Sequence, residues 1–167
     1  MILSYAMKNI DKQKTSCTIG VISDTHGLLR PEVNEVFQHV ERIIHAGDIG
    51  NEKILQDLEA IAPVTAVRGN MDGDWAFKLK RTEALEISGN LIYVIHDIAR
   101  LDLDPDASGT SVVISGHSHR PSASKHNGVL YMNPGSAGPR RFSLPVSVGL
   151  IHINSKGIKA ELIKLKI

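Results

Sequence analysis

Five apolar segments in this chain are each followed by residues that can bind a metal ion, and this repeated pattern constrains the fold most. Runs rich in β-branched and aliphatic residues are typical of buried strands. Helical spacing of apolar residues separates the first three segments, at 31–38 and 51–60. The order strand, helix, strand, helix, strand predicts an α/β sheet, in which ligands collect at the carboxyl ends of the strands.

The remaining segments predict a second set of strands. Ser88-Gly89-Asn90 and Asn127-Gly128 are hairpin signals, whereas the polar stretch 98–110 with its proline predicts a loop or short helix. In the last strand, Ile158, Ala160 and Leu162 share a face that we expect to be buried. We therefore predict an α/β sandwich of two sheets face to face with helices outside. The predicted strands are 18–23, 42–46, 64–67, 82–87, 91–95, 111–115, 122–126, 129–132, 145–153 and 158–167.

Composition limits the classes of function. A chain of 167 residues predicts one domain over 1–167, with the charged stretch 1–16 as a peripheral leader. The net charge of +1 does not favour a nucleic-acid polymer or a membrane surface as partner. The single cysteine, Cys17, excludes an internal disulfide framework and suggests a buried, inert thiol. No apolar run could span a membrane and no signal peptide is apparent, so we expect a cytoplasmic protein.

Each potential metal ligand also has a structural explanation when it is taken alone. Asp24 could cap a turn, His45 could be a packed strand residue, and Asn70 is a good turn residue. The His117-x-His119 pair after an apolar strand is a weak signal by itself. The joint pattern is more specific, because all five segments end in oxygen or nitrogen ligands. These residues are Asp24, His26, Asp48, Asn70, His96, His117 and His119.

Seven ligands are too many for one tetrahedral zinc ion, which takes four. They suit two ions of higher coordination that share a bridging carboxylate. A mixed oxygen and nitrogen set without thiolate points to Mn²⁺, Fe²⁺, Co²⁺, Ni²⁺ or Zn²⁺. Two such ions would lower the pKa of a shared water, and the hydroxide formed near neutral pH could attack a phosphoester.

The motifs Asp24-x-His26, Gly47-Asp48, Gly69-Asn70, His96 and Gly116-His117-x-His119 resemble the metal-ligand signature of the calcineurin-like metallophosphoesterases. The stretch Asn133-Pro134-Gly135-Ser136, with Pro139-Arg140, is similar to the small single-domain bacterial and archaeal phosphodiesterases of that superfamily. The resemblance covers residue 18 to the C-terminus. It implies a four-layer α/β/β/α sandwich of two mixed sheets flanked by helices.

The resemblance also implies roles for single residues. Asp24, His26 and His119 would hold the first ion, and Asn70, His96 and His117 the second. Asp48 would bridge the two ions. We expect Mn²⁺ as the cofactor, and Asp48, Asn70 and His96 as the catalytic residues. Arg140 and Arg141 are candidate phosphate-binding residues, although a solvated surface charge is the alternative for each.

Two positions depart from the family pattern. Met71 stands where many members have a histidine that can protonate the leaving group, and Asp97 stands where glycine is frequent. Asp72 is either a simple turn residue or orients a neighbouring ligand. We expect a phosphodiesterase acting on a small phosphodiester or nucleotide. The alternatives are a catalytically weak protein-interaction scaffold like the retromer subunit Vps29, or a phosphomonoesterase. As for partners, a homo-oligomer is a candidate besides the small substrate.

Overall fold

Ten strands and two α-helices make up the fold in the computed structural model, which describes residues 15–167. Most of the predicted leader, residues 1–14, lies outside the described residues. The α-helices are α1 (Pro31–Phe37) and α2 (Glu52–Glu59). The strands are β1 (Cys17–Ile22), β2 (Arg42–His45), β3 (Val64–Ala66), β4 (Thr82–Ile87), β5 (Asn90–Ile95), β6 (Thr110–Ile114), β7 (Ser122–His126), β8 (Val129–Asn133), β9 (Ser147–Asn154) and β10 (Gly157–Lys164).

The strands form two mixed sheets of five strands each, which confirms the predicted fold class. The first sheet has the order β10-β9-β1-β2-β3, and the second has the order β4-β5-β6-β8-β7. Strands β1, β2 and β3 are parallel, as are β5, β6 and β8, while the other neighbours are antiparallel. The candidate ligands follow the carboxyl ends of five of these parallel strands, β1, β2, β3, β5 and β6.

Alternation along the strands separates two hydrophobic cores. In β1, Ile19 and Val21 face the second sheet, whereas Ile22 faces the helices together with Val33 and Phe37. Successive strand residues point to opposite faces, so one buried strand contributes to both cores. Both α-helices pack on the first sheet. Asn51 begins α2 by accepting a hydrogen bond from the backbone of Ile54 at 3.3 Å.

The outer face of the second sheet is covered differently. Tyr93, Ile95, Val113, Val129 and Tyr131 form a small apolar cluster there, and within residues 15–167 no α-helix packs on it. The predicted loop or short helix after β5 is a single 3₁₀ turn, Ile98–Arg100. None of the described helices is long and apolar enough to cross a membrane.

The last strand differs in part from its predicted pattern. Ile158 and Ala160 pack against the core between the sheets, as expected for one buried face. Leu162 on the same face is 38% exposed, whereas Ile163 on the other face packs on the helix side. Strand β10 lies at the edge of its sheet and is covered only along part of each face.

Candidate metal centre

The carboxyl ends of parallel strands from both sheets meet at one end of the molecule. Two clusters of acidic and imidazole side chains lie there, and within each cluster the potential ligand atoms are all within 4.8 Å of one another. The first cluster is Asp24, His26 and His119, and the second is Asp48, His96 and His117. Each cluster takes residues from both sheets. Asp24, His26 and Asp48 follow strands β1 and β2 of the first sheet, and His96, His117 and His119 follow strands β5 and β6 of the second.

Asp24 is held by one carboxylate oxygen and leaves the other without a hydrogen bond. Its Oδ2 accepts from Ser23 Oγ at 2.6 Å and from the backbone of His117 at 3.1 Å. Its Oδ1 is buried, lies 3.1 Å from His119 Nε2 and has no hydrogen-bond partner. A buried oxygen without a partner is costly, and a metal ion is one way to satisfy it.

Burial opposes ionisation of Asp24, yet its surroundings favour the carboxylate. Desolvation raises the pKa of Asp24, but the His119 ring and the Ser23 hydroxyl lower it by more, so the net pKa is below its ordinary value. Asp24 is therefore ready to bind a cation without first losing a proton near neutral pH.

Asp48 faces both clusters. Its Oδ2 is 3.2 Å from His96 Nε2 and 3.9 Å from His26 Nε2, whereas its Oδ1 accepts from the backbone of Met71 at 2.8 Å. Burial raises the pKa of Asp48, but His96 and the Met71 N–H lower it by more. One carboxylate oxygen thus lies between the histidines of the two clusters, as a bridging ligand would.

The second cluster also includes Asn70. Its Oδ1 lies 3.1 Å from His96 Nε2 and 3.1 Å from His117 Nδ1. His96 Nδ1 is 2.7 Å from the carbonyl of Ala46, which can only accept, so Nδ1 carries the proton and Nε2 faces the site. All seven side chains predicted as ligands therefore lie together at this end of the molecule.

Buried polar residues fasten the surrounding loops to one another. Asp72 accepts from the backbones of Ile49 at 2.8 Å, Gly50 at 3.0 Å and Gly69 at 2.9 Å. It therefore ties the loop of Asp48 to that of Asn70, which supports the orienting role over the simple turn role.

His45 is buried and links the loop after β1 to the loop of Asp48. Its Nε2 lies 2.9 Å from Thr25 Oγ1, and its Nδ1 accepts from the backbone of Gly47 at 3.1 Å. Thr25 Oγ1 in turn donates to the carbonyl of Ile49 at 2.8 Å. Burial lowers the pKa of His45 to about 3, so its ring is neutral. His45 thus belongs to the support of the site and does not face the ligand atoms.

The sequence did not reveal how Asn133 and Ser136 support the site. Asn133 Nδ2 donates to the carbonyl of Gly116 at 2.8 Å, and Ser136 Oγ donates to the carbonyl of Asp24 at 2.9 Å. Ser23 was also missed, although a hydroxyl directly before a buried aspartate was a usable signal. A Cβ on Gly116 would overlap the Ser23 hydroxyl, so only glycine fits this crossing of the sheets.

The two candidate phosphate-binding arginines lie in different surroundings. Arg141 is exposed, and its charge acts on His26. The pKa of His26 is lowered mainly by burial and also by Arg141, whereas the carboxylates of Asp48 and Asp24 raise it. Arg140 instead lines a separate pocket of about 460 Å³ with Lys164 and Lys166. The charge of Arg141 thus acts on a residue of the first cluster, and a phosphate-binding role for either arginine stays a prediction.

The chain is thus an α/β protein of two mixed sheets. At the strand ends it has two clusters of carboxylate and histidine side chains that could each hold a metal ion. The chain belongs to the calcineurin-like phosphoesterase superfamily, whose domain model matches residues 18–156. A probable metallophosphoesterase of Methanothermobacter thermautotrophicus is 37% identical over 158 residues, covering 87% of this chain and 91% of that protein. A protein named phosphodiesterase from Methanocaldococcus jannaschii is 27% identical over 158 residues, covering 83% and 94%.

Solved structures share the same fold. A structure described as a novel archaeal phosphodiesterase is 24% identical, has a TM-score of 0.71 and covers 87% of this chain and 99% of its own. A Vps29 from Entamoeba histolytica, complexed with zinc, is 21% identical with a TM-score of 0.68 and covers 88% and 98%. At this level of identity the similarity establishes the fold, which both phosphodiesterases and Vps29 proteins have.

Proposed function

We propose that this protein is a phosphodiesterase that uses two divalent ions to hydrolyse a small phosphodiester or nucleotide. The observation that carries the proposal is the position of Asp48 Oδ2, which faces a histidine of each cluster. A relative named phosphodiesterase, similar over most of this chain, supports the diester preference. Mn²⁺ is our preferred cofactor, because the ligands are carboxylate, amide and imidazole without thiolate.

In this proposal Asp24, His26 and His119 would hold the first ion, and Asn70, His96 and His117 would hold the second. Asp48 would be a ligand to both ions. The Oδ1 of buried Asp24, which accepts no hydrogen bond, fits this assignment. Two ions bound here would activate a water and neutralise charge on the phosphate oxygens.

The residues of this chain contribute orientation and charge. Ser23 and the His117 backbone fix Asp24 so that Oδ1 points into the site, and the Ala46 carbonyl sets the proton of His96 on Nδ1. Arg141 supplies positive charge near the first cluster, where it can bind a non-bridging phosphate oxygen. Met71 has no proton to donate, so esters with weakly basic leaving groups should be the best substrates.

A Vps29-like interaction scaffold is the second candidate. Met71, in the place of the usual histidine, and the shared fold with Vps29 structures favour it. The presence of all seven candidate ligands, with both aspartates held ionised, favours the enzyme.

Hydrolysis of two p-nitrophenyl esters tests the proposal. Metal-stripped protein is assayed on bis(p-nitrophenyl) phosphate and on p-nitrophenyl phosphate, with and without Mn²⁺. We expect Mn²⁺-dependent turnover that is faster on the diester, and loss of it in Asp48→Ala. The control is Asp106→Ala, which removes an exposed carboxylate remote in sequence from every candidate ligand.

The outcomes separate the candidates. Faster turnover of the monoester would support a phosphomonoesterase. Metal binding without hydrolysis of either ester would support the scaffold. Full Mn²⁺-dependent turnover by Asp48→Ala would contradict the bridging role.

A further inference from the structure

A pocket of about 350 Å³ opens beside the second cluster only. Asn70, His96 and His117 are among its lining residues, whereas no residue of the first cluster lines it. Its volume lies near the lower end of the range for small-molecule sites, about 300–1,000 Å³. A group held at the second cluster would therefore continue into a pocket of roughly nucleotide size.

The pocket lies on the outer face of the second sheet, where no described α-helix packs. Thr82 pairs with Ile95 across β4 and β5, so these two side chains share a face with Tyr93, and all three line the pocket. Tyr93 and Ile95 thus form an apolar floor of the pocket beside Asn70, His96 and His117 of the second cluster. This suits a ligand with both a ring and charged groups.

Two arginines, Arg68 and Arg81, also line the pocket. The backbone of Arg68, just after β3, donates to the carbonyl of Lys80 at 2.8 Å. This bond joins the edges of the two sheets and brings Arg68 and Arg81 to the same pocket. The arrangement depends on the meeting of β3 and β4, which belong to different sheets.

The side chains of Arg68 and Arg81 have no close partner among the described residues. Among residues 15–167 neither side chain forms an ion pair or hydrogen bond, although Arg68 is partly buried. Asp97 and Asp102 also line the pocket, but Asp97 approaches Arg100 at 3.7 Å and accepts from the backbone of Ala99 at 3.0 Å. A partly desolvated guanidinium without a partner is suited to bind an anion from outside, and its geometry matches phosphate.

We propose that Arg68 and Arg81 bind a second phosphate of the substrate, distinct from the phosphodiester that is cleaved. The substrate class is then a phosphodiester of nucleotide size that carries a further terminal phosphate, with its ring on the floor of Tyr93 and Ile95. This inference rests on the proposed function, since it takes the clusters as the place of hydrolysis.

A matched pair of esters tests this specificity. Thymidine 5′-(p-nitrophenyl phosphate) is compared with the same ester bearing a 3′-phosphate, using Mn²⁺-loaded protein. We expect KM to be about tenfold lower for the 3′-phosphorylated ester, as one good charge-assisted contact contributes roughly 1.4 kcal/mol. Arg68→Gln and Arg81→Gln should each reduce this KM ratio several-fold, and the double variant should bring it to about one. Lys159→Gln, an exposed cation on β10, is the control and should keep the ratio.

Calorimetric binding separates this inference from the proposed function. Thymidine 3′,5′-bisphosphate should bind the Mn²⁺-loaded protein about tenfold more tightly than thymidine 5′-monophosphate, and this preference should disappear in the Arg68→Gln/Arg81→Gln double variant. That result would support the pocket even if neither ester were hydrolysed, in which case only the proposed function would fail. Equal binding of the two nucleotides, or a preference that survives in the double variant, would overturn the inference.

Discussion

Five of the candidate ligands have strained backbone conformations. Within residues 15–167 eight non-glycine residues have positive φ, and five of them are Asp24 (55°), His26 (45°), Asp48 (52°), His117 (68°) and His119 (59°). A residue other than glycine costs about 1 kcal/mol or more in this region. Such strain persists where the surroundings enforce it, as the hydrogen bonds to Asp24 and Asp48 do here. The sharp turns direct the ligand atoms inward.

Restoring an acid after Asn70 should widen the range of leaving groups. The Met71 side chain is 67% exposed, so a histidine can replace it without repacking. We expect Met71→His to increase turnover of thymidylyl-(3′→5′)-thymidine about tenfold or more, because its alkoxide leaving group needs a proton. Turnover of bis(p-nitrophenyl) phosphate should change little. Met71→Gln is the control of similar size, and an equal gain on both substrates would contradict an acid role.

His45 should make stability depend on pH. Its pKa of about 3 in the folded protein is below the ordinary value of 6.5, so protonation favours the unfolded chain. The contribution of neutral His45 is therefore present above pH 6.5 and is lost as pH falls from 6.5 toward 3. Between pH 7 and 5 this loss is about 2 kcal/mol.

Urea unfolding of metal-free wild type and His45→Gln at pH 7 and pH 5 measures this effect. Glutamine can replace part of the hydrogen bonding but does not titrate. We expect the variant to be less stable at pH 7 and to lose about 2 kcal/mol less than wild type on acidification. An identical loss in both proteins would show that His45 does not titrate on unfolding.

At the level of elements, the loops after β2 and β3 have to approach each other closely. A Cβ on Gly69 would overlap the Asp48 carboxylate, whereas a Cβ on Gly73 would meet nothing within 4 Å. Gly69→Ala should therefore displace Asp48 and weaken Mn²⁺ binding about tenfold or more, in line with changes to the support of other metal sites. Gly73→Ala is the matched control, measured by calorimetry with the same ion. Equal affinities would mean that the Asp48 carboxylate is not required in its present position.

The sequence predicted the elements better than their connections. Apolar strands and capped helices are local patterns, so the ranges for β1, β4 and α2 agree with the structure within one or two residues. Which strands pair depends on contacts between distant segments, and nothing local revealed the order of the two sheets. The seven candidate ligands were found because they follow strands. Two features depend on how distant loops approach each other, and only the structure shows them. Asp72 accepts three backbone hydrogen bonds from two loops, and Arg68 and Arg81 line the same pocket.

For the whole molecule, each metal cluster joins the two sheets. In the first cluster, Asp24 and His26 follow a strand of the first sheet, and His119 follows a strand of the second. In the second cluster, Asp48 follows a strand of the first sheet, and His96 and His117 follow strands of the second. A bound ion would therefore cross-link the sheets across their shared core. The carboxylates of Asp24 and Asp48 are both buried there, and His26 Nε2 lies 3.8 Å from Asp24 Oδ1 and 3.9 Å from Asp48 Oδ2.

Metal binding should consequently raise the stability of the whole fold. At a free Mn²⁺ concentration 100 times the Kd, one site contributes about 2.7 kcal/mol. We expect a clear rise in Tm on adding Mn²⁺ to stripped protein, a smaller rise in His119→Gln, and the smallest rise in His117→Gln/His119→Gln, which lacks one candidate ligand of each ion. Comparing each variant with and without Mn²⁺ cancels any damage to the apo fold, and His126→Gln, on exposed β7, is the control. A rise as large in the double variant as in the wild type would mean that Mn²⁺ stabilises the protein from outside these clusters, and both ion assignments would then have to be abandoned.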